Sequence, residues 1–423
     1  MEQAKEYIEI VHGTSKGWIT LAGINKDNYT QWHYKVLELL EIEFDKQNVY
    51  ISQNTFYKPQ RRLENIKELR ALFMDMDTYK FNMSKEQVLY WLEEECFNTK
   101  IPRPNLIIDS GRGLYLLWTI EPVPSQALPL WKAIEEYFYK QLKEFGADRK
   151  ALDATRILRL PTTINSKSKT EVKVLHKYDY LYSLREIQEN YLPELKPKQK
   201  KKGRPYKVVT IFRERSLYHA RIQDLAKICE LRSYDVKGHR ELILFLYRYY
   251  LCYFTEDTEK ALQDTLELNS EFISPLPERE VIRATRSAET VFKNKDKQYK
   301  YKNTTLIDLL EITEEEQMHL LTIIGTKELK RRNNEYNKKK YAKNKEYINK
   351  VKREKYKENQ PYMEKLKAEG KMSKKEELTI LRQKIKDLKE QGLANKVIAI
   401  DLNIPIKTLE RHITFMKKNK LLQ

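Results

Sequence analysis

Short, apolar, β-rich segments that end in carboxylates or a glycine-rich turn restrict the fold of residues 1–193 more than any other feature. One of them reads Phe73-Met74-Asp75-Met76-Asp77. Residues two apart on a strand share a face, so Asp75 and Asp77 are expected together, with Met74 and Met76 turned toward a core. The predicted strands are Val49–Ser52, Ala71–Met74, Leu106–Ile108, Leu114–Trp118 and Val172–Leu175, and the predicted helices are Ser84–Phe97 and Pro129–Phe145. The pattern predicts an α+β domain with a mixed or antiparallel sheet.

Charge divides the chain into two halves. The 423 residues have a formal net charge of +19, but residues 1–193 hold equal numbers of acidic and basic side chains, so the whole excess lies in residues 194–423. A chain of this length is expected to form two to four domains. The boundaries predict an α+β domain at 1–193, a Pro- and Lys-rich linker at 194–206, a helical domain at 207–325, a basic arm at 326–372 and a C-terminal domain at 373–423. A basic second half indicates a polyanionic partner.

Several classes of protein are disfavoured. Three scattered cysteines (Cys96, Cys229 and Cys252) predict neither a disulfide framework nor a zinc site, and they fit a reducing, cytoplasmic setting. The longest apolar runs are too short for a membrane span, and the acidic, mixed N-terminus is unlike a signal peptide. The sequence contains no Gly-x4-Gly-Lys-[Ser/Thr] motif for a helicase motor. It also has no His-x-His pair, which argues against a nickase that binds its metal through paired histidines.

Carboxylates in two segments match the needs of metal-dependent phosphoryl transfer. Asp75 and Asp77 come from one segment, and Asp153 from another. Magnesium prefers carboxylate and phosphate oxygens, and two ions about 4 Å apart can clamp the attacking and leaving oxygens. The set therefore predicts a magnesium site. The alternative for Asp-x-Asp alone is a turn-forming pair at a strand edge.

Two further segments supply groups suited to phosphate. In Ser110-Gly111-Arg112-Gly113, the glycines allow close backbone approach, Ser110 offers a hydroxyl, and Arg112 offers a planar fork. The same four residues are also expected to form a β-hairpin turn, which is compatible with phosphate binding. Polar side chains that suit a triphosphate or a nucleic-acid backbone follow the third carboxylate: Arg156, Arg159, Asn165 and Lys167. Each of these, taken singly, could instead belong to a basic surface strand.

Together these motifs resemble a known family. The order is Asp-x-Asp, then Ser-Gly-x-Gly-x-aromatic-x-x-Trp, then apolar-Asp-x-x-Arg-x-x-Arg-x-Pro-x-Thr-x-Asn-x-Lys. It resembles the archaeo-eukaryotic primase (primase-polymerase) superfamily, especially replication proteins of plasmids and mobile elements in Gram-positive bacteria, over roughly Ser52 to Lys177. The resemblance implies an RRM-like sheet beside a second small α/β unit. The helical region 207–325 more loosely resembles the helical domains that follow this unit in primases.

The resemblance also assigns roles to individual residues. It implies that Asp75, Asp77 and Asp153 are catalytic ligands of Mg²⁺ or Mn²⁺ and that the Ser110 segment is the phosphate loop for a nucleoside triphosphate. The implied nucleotide-binding residues are Ser110, Arg112, Tyr115, Arg156, Arg159 and Lys167. The family usually has a histidine where this chain has Tyr115. A tyrosine can donate a hydrogen bond but cannot carry the imidazolium charge.

Two segments of the basic half predict DNA binding. Residues 396–413 resemble a helix-turn-helix, with Ala399 at the crossing, Asn403 in the turn, and Ile404, Leu409 and Ile413 buried. The side chains expected to face the major groove are Lys407, Thr408, Glu410 and Arg411. The alternative is a small helical hairpin for dimerisation. Lys327–Lys357 carries fourteen basic and four acidic residues, including Lys338, Lys339 and Lys340, with four tyrosines interleaved. It is expected to bind phosphates or to act as a solvated linker.

The sequence thus predicts a DNA replication initiation protein of a plasmid or integrated element. Its partners would be origin duplex, single-stranded template and host replication proteins such as a helicase. Its front domain would make or extend a primer as a nucleotidyltransferase. A non-catalytic initiator or regulator that binds DNA and recruits the host replisome is the alternative, and Tyr115 favours it. A transcription factor with an unrelated front domain is a third hypothesis.

Overall fold

The computed structural model of the chain describes residues 2–25, 28–44, 47–81, 83–192, 211–294, 299, 301–368, 372, 374–419 and 421. The chain divides into two compact units, Met1–Leu329 and Lys330–Gln423. The predicted linker at 194–206 lies outside the described residues. Among the described helices, none combines the length and the apolar character needed to cross a bilayer.

Antiparallel strands form the front of the first unit. They are β1 (Ile19–Asn25), β2 (Asn28–Tyr34), β3 (Val49–Ser52), β4 (Thr55–Phe56), β5 (Ile66–Met76), β6 (Leu106–Asp109), β7 (Leu114–Pro124), β8 (Ile157–Arg159), β9 (Ile164–Asn165), β10 (Thr170–Glu171) and β11 (Lys173–Lys177). One sheet has the order β11-β6-β7-β5-β4, a second has the order β2-β1-β3-β8, and β9 pairs with β10. Every pairing among these strands is antiparallel. The predicted α+β class is confirmed.

Helices cover the sheets. The first five are α1 (Glu2–His12), α2 (Val36–Glu41), α3 (Lys85–Glu95), α4 (Leu128–Leu142) and α5 (Leu184–Tyr191). Helix α4 lies across β5, where the indole of Trp131 donates to the Ala71 carbonyl at 2.8 Å. Glu135 of the same helix accepts from the Phe73 backbone N–H at 2.7 Å. These two contacts fix α4 against the strand that carries Asp75.

The helical region of the first unit packs against this front part. Its helices are α6 (Ile211–Leu231), α7 (Arg240–Thr255), α8 (Thr258–Ser270), α9 (Glu278–Lys293), α10 (Asn303–Leu309) and α11 (Glu314–His319). Helix α11 begins with a capping box, because Thr313 and Glu316 exchange hydrogen bonds of 3.1 and 2.8 Å. Lys132 of α4 joins the two parts, since its buried ammonium donates to the carbonyls of Leu152 and Thr255. Thr255 ends α7, so the end of this helix is tied to the loop that carries Asp153.

The second unit is helical where it is described. A long helix, α12 (Thr326–Ala368), leads into it, followed by α13 (Lys374–Glu390), α14 (Asn395–Asp401) and α15 (Ile406–Lys418). The last three pack around Ile385, Ile398, Leu409 and Met416, all at most 1% exposed. Asn403 adopts a left-handed conformation with φ of 50°, as its place in the predicted turn requires. Ile404 and Ile413 pack at the edge of the core.

Buried His12 gives the first unit a predicted acid sensitivity. Burial, with Arg70 nearby, lowers the pKa of His12 to about 3, and its Nε2 lies 2.8 Å from the Ser52 carbonyl. The unfolded chain takes up a proton below about pH 6.5, whereas the folded chain does not, so stability falls between about pH 6.5 and 3 by up to about 1.4 kcal/mol per pH unit. His12→Gln keeps an N–H donor but removes this titration. We expect its Tm, measured by calorimetry, to fall less than that of wild type between pH 7.5 and 5.5; parallel losses would contradict the prediction.

Candidate active site

A cleft of about 480 Å³ opens where β5, the β6–β7 turn and the loop before β8 meet. Its walls include every residue predicted to bind metal or nucleotide: Asp75, Asp77, Ser110, Arg112, Tyr115, Asp153, Arg156, Arg159 and Lys167. Six basic side chains and three carboxylates line the described part of the cleft. The structure therefore brings together groups from segments far apart in sequence, although their roles remain predictions.

Asp75 and Asp77 lie at the end of β5. Both are partly exposed, with 18% and 21% of their side chains accessible, while Met74 and Met76 are fully buried, so the predicted alternation is confirmed. The segment at Gly146 and Asp148 extends the sheet here, since the Asp77 N–H donates to the Gly146 carbonyl and the Asp148 N–H to the Asp75 carbonyl. The pair is thus held by backbone hydrogen bonds on a strand with a buried opposite face.

Electrostatics around this pair favour a bound cation. Burial raises the pKa of Asp75 to about 7, and the neighbouring Asp77 and Asp148 contribute to the rise, although Arg156 opposes it. The Arg156 guanidinium is 3.9 Å from the Asp75 carboxylate, and Lys80 is paired with Asp77. A divalent cation between two hard carboxylate oxygens would offset this unfavourable burial of charge. Asp75 and Asp77 therefore fit a magnesium ion chemically.

Asp153 stands apart from this pair. Its carboxylate accepts from the Thr155 N–H at 2.9 Å and from the Thr155 hydroxyl at 2.8 and 3.0 Å. Burial alone would raise the pKa of Asp153, but Lys260 and these hydrogen bonds outweigh it and hold the pKa below its usual value. Within the part of the chain that the structure describes, no three His, Cys, Asp or Glu side chains converge closely enough to hold a metal ion. Asp153 lines the same cleft without joining a ligand cluster.

The predicted phosphate loop is a tight turn between β6 and β7, as expected. The Ser110 N–H donates to the Gly113 carbonyl at 3.0 Å. A Cβ at Gly113 would lie 2.0 Å from the Met76 carbonyl oxygen, so only glycine lets the turn approach the end of β5. Gly111 has φ of 97°, and the Asn165 side chain donates to the Ser110 carbonyl at 2.8 Å. The turn is therefore clamped beside Asp77.

Stacking on tyrosines positions two of the predicted arginines. The Arg112 guanidinium lies 4.0 Å from the ring centre of Tyr79, and that of Arg159 lies 4.7 Å from the ring centre of Tyr50. Arg112 is exposed, whereas Arg159 is only 8% exposed. Lys167 is exposed at the rim of the cleft. Stacking leaves the N–H edge of Arg112 available for phosphate oxygens, whereas Arg159 already donates one N–H to the Asn48 side chain at 3.1 Å.

Tyr115 lies opposite Asp75 in the β5–β7 register. It is 6% exposed, and burial together with the Asp75 charge raises the pKa of its hydroxyl, which also has a hydrogen bond with the Arg159 backbone. The side chain stays neutral and lines the cleft. It can therefore contribute a hydrogen bond but no positive charge at the position where the family usually has histidine.

Several residues of the cleft were missed from sequence, among them Tyr29, Arg61, Lys260 and Gln263. Arg61 donates to the Thr155 carbonyl at 2.7 Å and to the Tyr29 hydroxyl at 3.1 Å. Lys260 and Gln263 come from α8, so the helical region completes the wall of the cleft. Lys260 is bound to buried Asp264 at 2.7 Å. Only a sequence signal that links α8 to the front domain could have identified Lys260 and Gln263, and a single chain contains none.

The predicted DNA-binding residues lie on helices of the second unit. Lys407, Glu410 and Arg411 are exposed on α15, and Thr408 is half-buried. Lys338, Lys339 and Lys340 are exposed on α12. These positions leave the charged groups accessible, while Leu409 on the opposite side of α15 is fully buried.

No protein-family model matches the chain. A curated relative, the "Replication protein" of Clostridium perfringens, is 62% identical over 418 residues, covering 99% of this chain and 98% of the relative. The chain belongs to the family of this replication protein. The relative comes from a Gram-positive bacterium, as the resemblance of the motifs predicted.

Three solved structures that are similar to the chain are a primase and domains of primases. The primase-polymerase domain of cyanophage S-2L is 16% identical and covers 45% of this chain and 97% of its own, with a TM-score of 0.34. Primase RepB' is 10% identical and covers 74% of this chain and 96% of its own, with a TM-score of 0.30. The catalytic domain of RepB', solved with initiator DNA, is 13% identical over 44% of this chain and 93% of its own, also with a TM-score of 0.30. The predicted likeness to replication proteins of Gram-positive bacteria is confirmed by the Clostridium perfringens relative.

Proposed function

We propose that this replication protein initiates DNA replication of a plasmid or other mobile element and extends primers by magnesium-dependent nucleotidyl transfer. The observation that supports this most is one cleft in which a carboxylate pair at a strand end faces a glycine-clamped turn and six basic side chains. Carboxylates suit the metal, and the turn and the basic groups suit a triphosphate. The substrates would be nucleoside triphosphates and a single-stranded template.

The residues of the cleft divide the work of such a reaction. The Ser110 hydroxyl, the Gly111–Gly113 backbone and the stacked Arg112 would hold the triphosphate of the incoming nucleotide. Arg156 and Arg159 would neutralise charge that builds up on the phosphates, and exposed Lys167 would contact them at the rim. The neutral Tyr115 hydroxyl would orient the nucleotide through a hydrogen bond. Together these groups would align the α-phosphorus with a primer 3′-hydroxyl.

Asp75 and Asp77 would hold Mg²⁺ or Mn²⁺ in this site. Bound metal would supply Lewis-acid stabilisation of the attacking and leaving oxygens. Asp153, whose carboxylate is held by Thr155, stays a proposed third ligand.

Incorporation of nucleotides tests this function directly. Full-length protein, given labelled primer on single-stranded template, nucleoside triphosphates and Mg²⁺, is expected to extend the primer. Asp75→Ala/Asp77→Ala protein is expected to extend the primer at least 100-fold more slowly than wild type. Equal incorporation by wild type and the double variant would contradict the proposal that this site catalyses nucleotidyl transfer. Separate ribo- and deoxynucleotide reactions determine which substrate is used.

The second unit would hold duplex DNA at the origin. Helices α14 and α15 would form a helix-turn-helix, with Lys407, Thr408, Glu410 and Arg411 toward the major groove. The basic residues of α12, including Lys338–Lys340, would neutralise phosphates. A host helicase would be the partner that continues replication, since the sequence contains no helicase motor motif.

Single charge reversals on α15 test the duplex contact. Lys407→Glu and Arg411→Glu are each expected to lower affinity for origin duplex about tenfold, because each replaces a cation at the DNA with an anion. Lys384→Glu, a change at an exposed lysine on α13, is the matched control and is expected to bind like wild type. Fluorescence anisotropy at fixed salt measures all four proteins. Equal weakening in all three variants would instead indicate a general loss of net charge.

A non-catalytic initiator is the second candidate function. It is favoured by Tyr115 in place of histidine and by the engagement of Asp153 with Thr155. Such a protein would use the fold to bind DNA and recruit the host replisome. It predicts no magnesium-dependent rise in Tm with a nucleoside triphosphate, whereas the primer-extending function predicts one.

A further inference from the structure

The exposed side of α9 is a row of basic side chains. Arg279, Arg283 and Arg286 are all exposed, on the side of the helix opposite Val281, Thr285 and Ala288, which are fully buried. Spacings of four and three residues place the arginines in one stripe, which Lys293 extends to about 21 Å at 1.5 Å per residue. The acidic residues of α9, Glu278, Glu280 and Glu289, fall on its flanks by helical periodicity. The part of the stripe formed by Arg279, Arg283 and Arg286 is therefore basic, whereas Lys293 at its end is paired with Glu289.

The guanidinium groups of the three arginines have no hydrogen-bond or ion-pair partner among the described residues. Neighbouring like charges at such spacings destabilise a helix by a few tenths of a kcal/mol per pair, so the row does not stabilise α9. Other arginines of the helical region have partners, as Arg248 shows with Glu289 at 2.7 Å. Free guanidinium forks are suited to phosphate oxygens. Ile282, 38% exposed, adds an apolar contact within the stripe.

We propose that this stripe binds the sugar-phosphate backbone of single-stranded DNA and leads a template toward the cleft. The inference rests on the proposed function, because primer extension requires a template. A single straight row of cations matches one strand rather than the two backbones of a duplex. Helix α9 packs against α8, and α8 supplies Lys260 and Gln263 to the cleft. A strand lying on α9 is therefore one helix away from the site that would copy it.

Charge reversal of the stripe tests the proposal in the full-length protein. The variant Arg279→Glu/Arg283→Glu/Arg286→Glu is compared with Lys16→Glu/Lys100→Glu/Lys302→Glu, which has the same net charge and changes three exposed lysines outside the helices and strands. Binding of fluorescent thirty-nucleotide oligothymidylate is measured by anisotropy across a salt series. We expect the stripe variant to bind at least tenfold more weakly and to lose about 2 from the slope of log affinity against log salt, because each phosphate contact contributes about 0.7. The control variant is expected to keep most of the affinity and most of the salt-dependence slope.

Other outcomes would overturn the proposal. Equal losses in both variants would mean that only net charge matters, and unchanged binding in the stripe variant would mean that the strand runs elsewhere. If the stripe variant instead loses only binding to poly-L-glutamate, the surface docks an acidic protein. Circular dichroism melting identifies a variant that has merely unfolded, in which case the neutral Arg→Gln triple variant decides with the same readouts. Because binding is measured without catalysis, failure of the stripe is distinguishable from failure of primer extension.

Discussion

Asp75→Asn is expected to abolish primer extension while raising the Tm of the first unit by about 2–4 °C. Burial raises the pKa of Asp75 to about 7, with Asp77 and Asp148 adding to the rise. In the absence of metal, the ionised Asp75 carboxylate therefore lowers the free energy of unfolding, and the neutral asparagine side chain removes this destabilisation. A gain of about 1 kcal/mol corresponds to this shift in Tm. If Asp75 serves catalysis rather than folding, its substitution is expected to lower activity and to raise stability.

Calorimetry in EDTA measures the stability effect, and Asp109→Asn is the matched control. Asp109 ends β6, which lies two strands from β5 in the same sheet. Its carboxylate is paired with Lys85 and accepts from the Gly111 N–H at 2.8 Å. Neutralising it removes favourable contacts, so its Tm is expected to fall. Added Mg²⁺ with a nucleoside triphosphate is expected to raise the Tm of wild type and to leave that of Asp75→Asn unchanged. A lower Tm for Asp75→Asn in EDTA would show that the carboxylate is mainly structural.

Local patterns in the sequence predicted the parts of the site that depend on local geometry. The two-residue period placed Asp75 and Asp77 on one face, and the glycines of the β6–β7 turn indicated a close backbone approach that Gly113 makes to Met76. The strands with apolar runs were found for the same reason. The N-terminal helix and the β1–β2 hairpin were missed. In the hairpin, β2 is mostly exposed and polar, so its sequence has no alternation of apolar residues that would predict a strand.

Contacts between distant segments could not be predicted in this way. Lys260 reaches the cleft only because α8 packs on the front part, and helical periodicity does not encode that docking. Asp153 was predicted as a ligand from its place in a motif, but its hydrogen bonds with Thr155 depend on the turn conformation. The packing of the helical region beside the cleft is therefore the main information that the structure adds to the sequence. A substitution of Arg62, a buried cation between the helical region and the front part, tests this packing.

Arg62→Met is expected to destabilise the first unit by about 3–5 kcal/mol. Arg62 is 4% exposed and lies between Glu64 at 3.3 Å and Glu271 at 2.7 Å. Glu64 belongs to the front part and Glu271 follows α8, so the guanidinium joins the two parts. Tyr247 of α7 also donates to Glu64 at 2.9 Å. Removing the cation leaves two carboxylates in a poorly hydrated interface, which is the costly way to break a buried ion pair.

Lys58→Met is the control, because it breaks another ion pair between the same two parts. The Lys58–Glu230 pair has a distance of 2.7 Å, but its side chains are 50% and 40% exposed, so a loss of at most about 1 kcal/mol is expected. Chemical denaturation compares both variants with wild type. In the Arg62→Met background, Glu271→Gln is expected to restore part of the stability, because it removes one of the stranded charges. If Lys58→Met and Arg62→Met lower the free energy of unfolding by the same small amount, the buried network around Arg62 does not hold the helical region in place. The position of Lys260 in the cleft must then depend on apolar packing and on the contacts of Lys132 between α4 and α7.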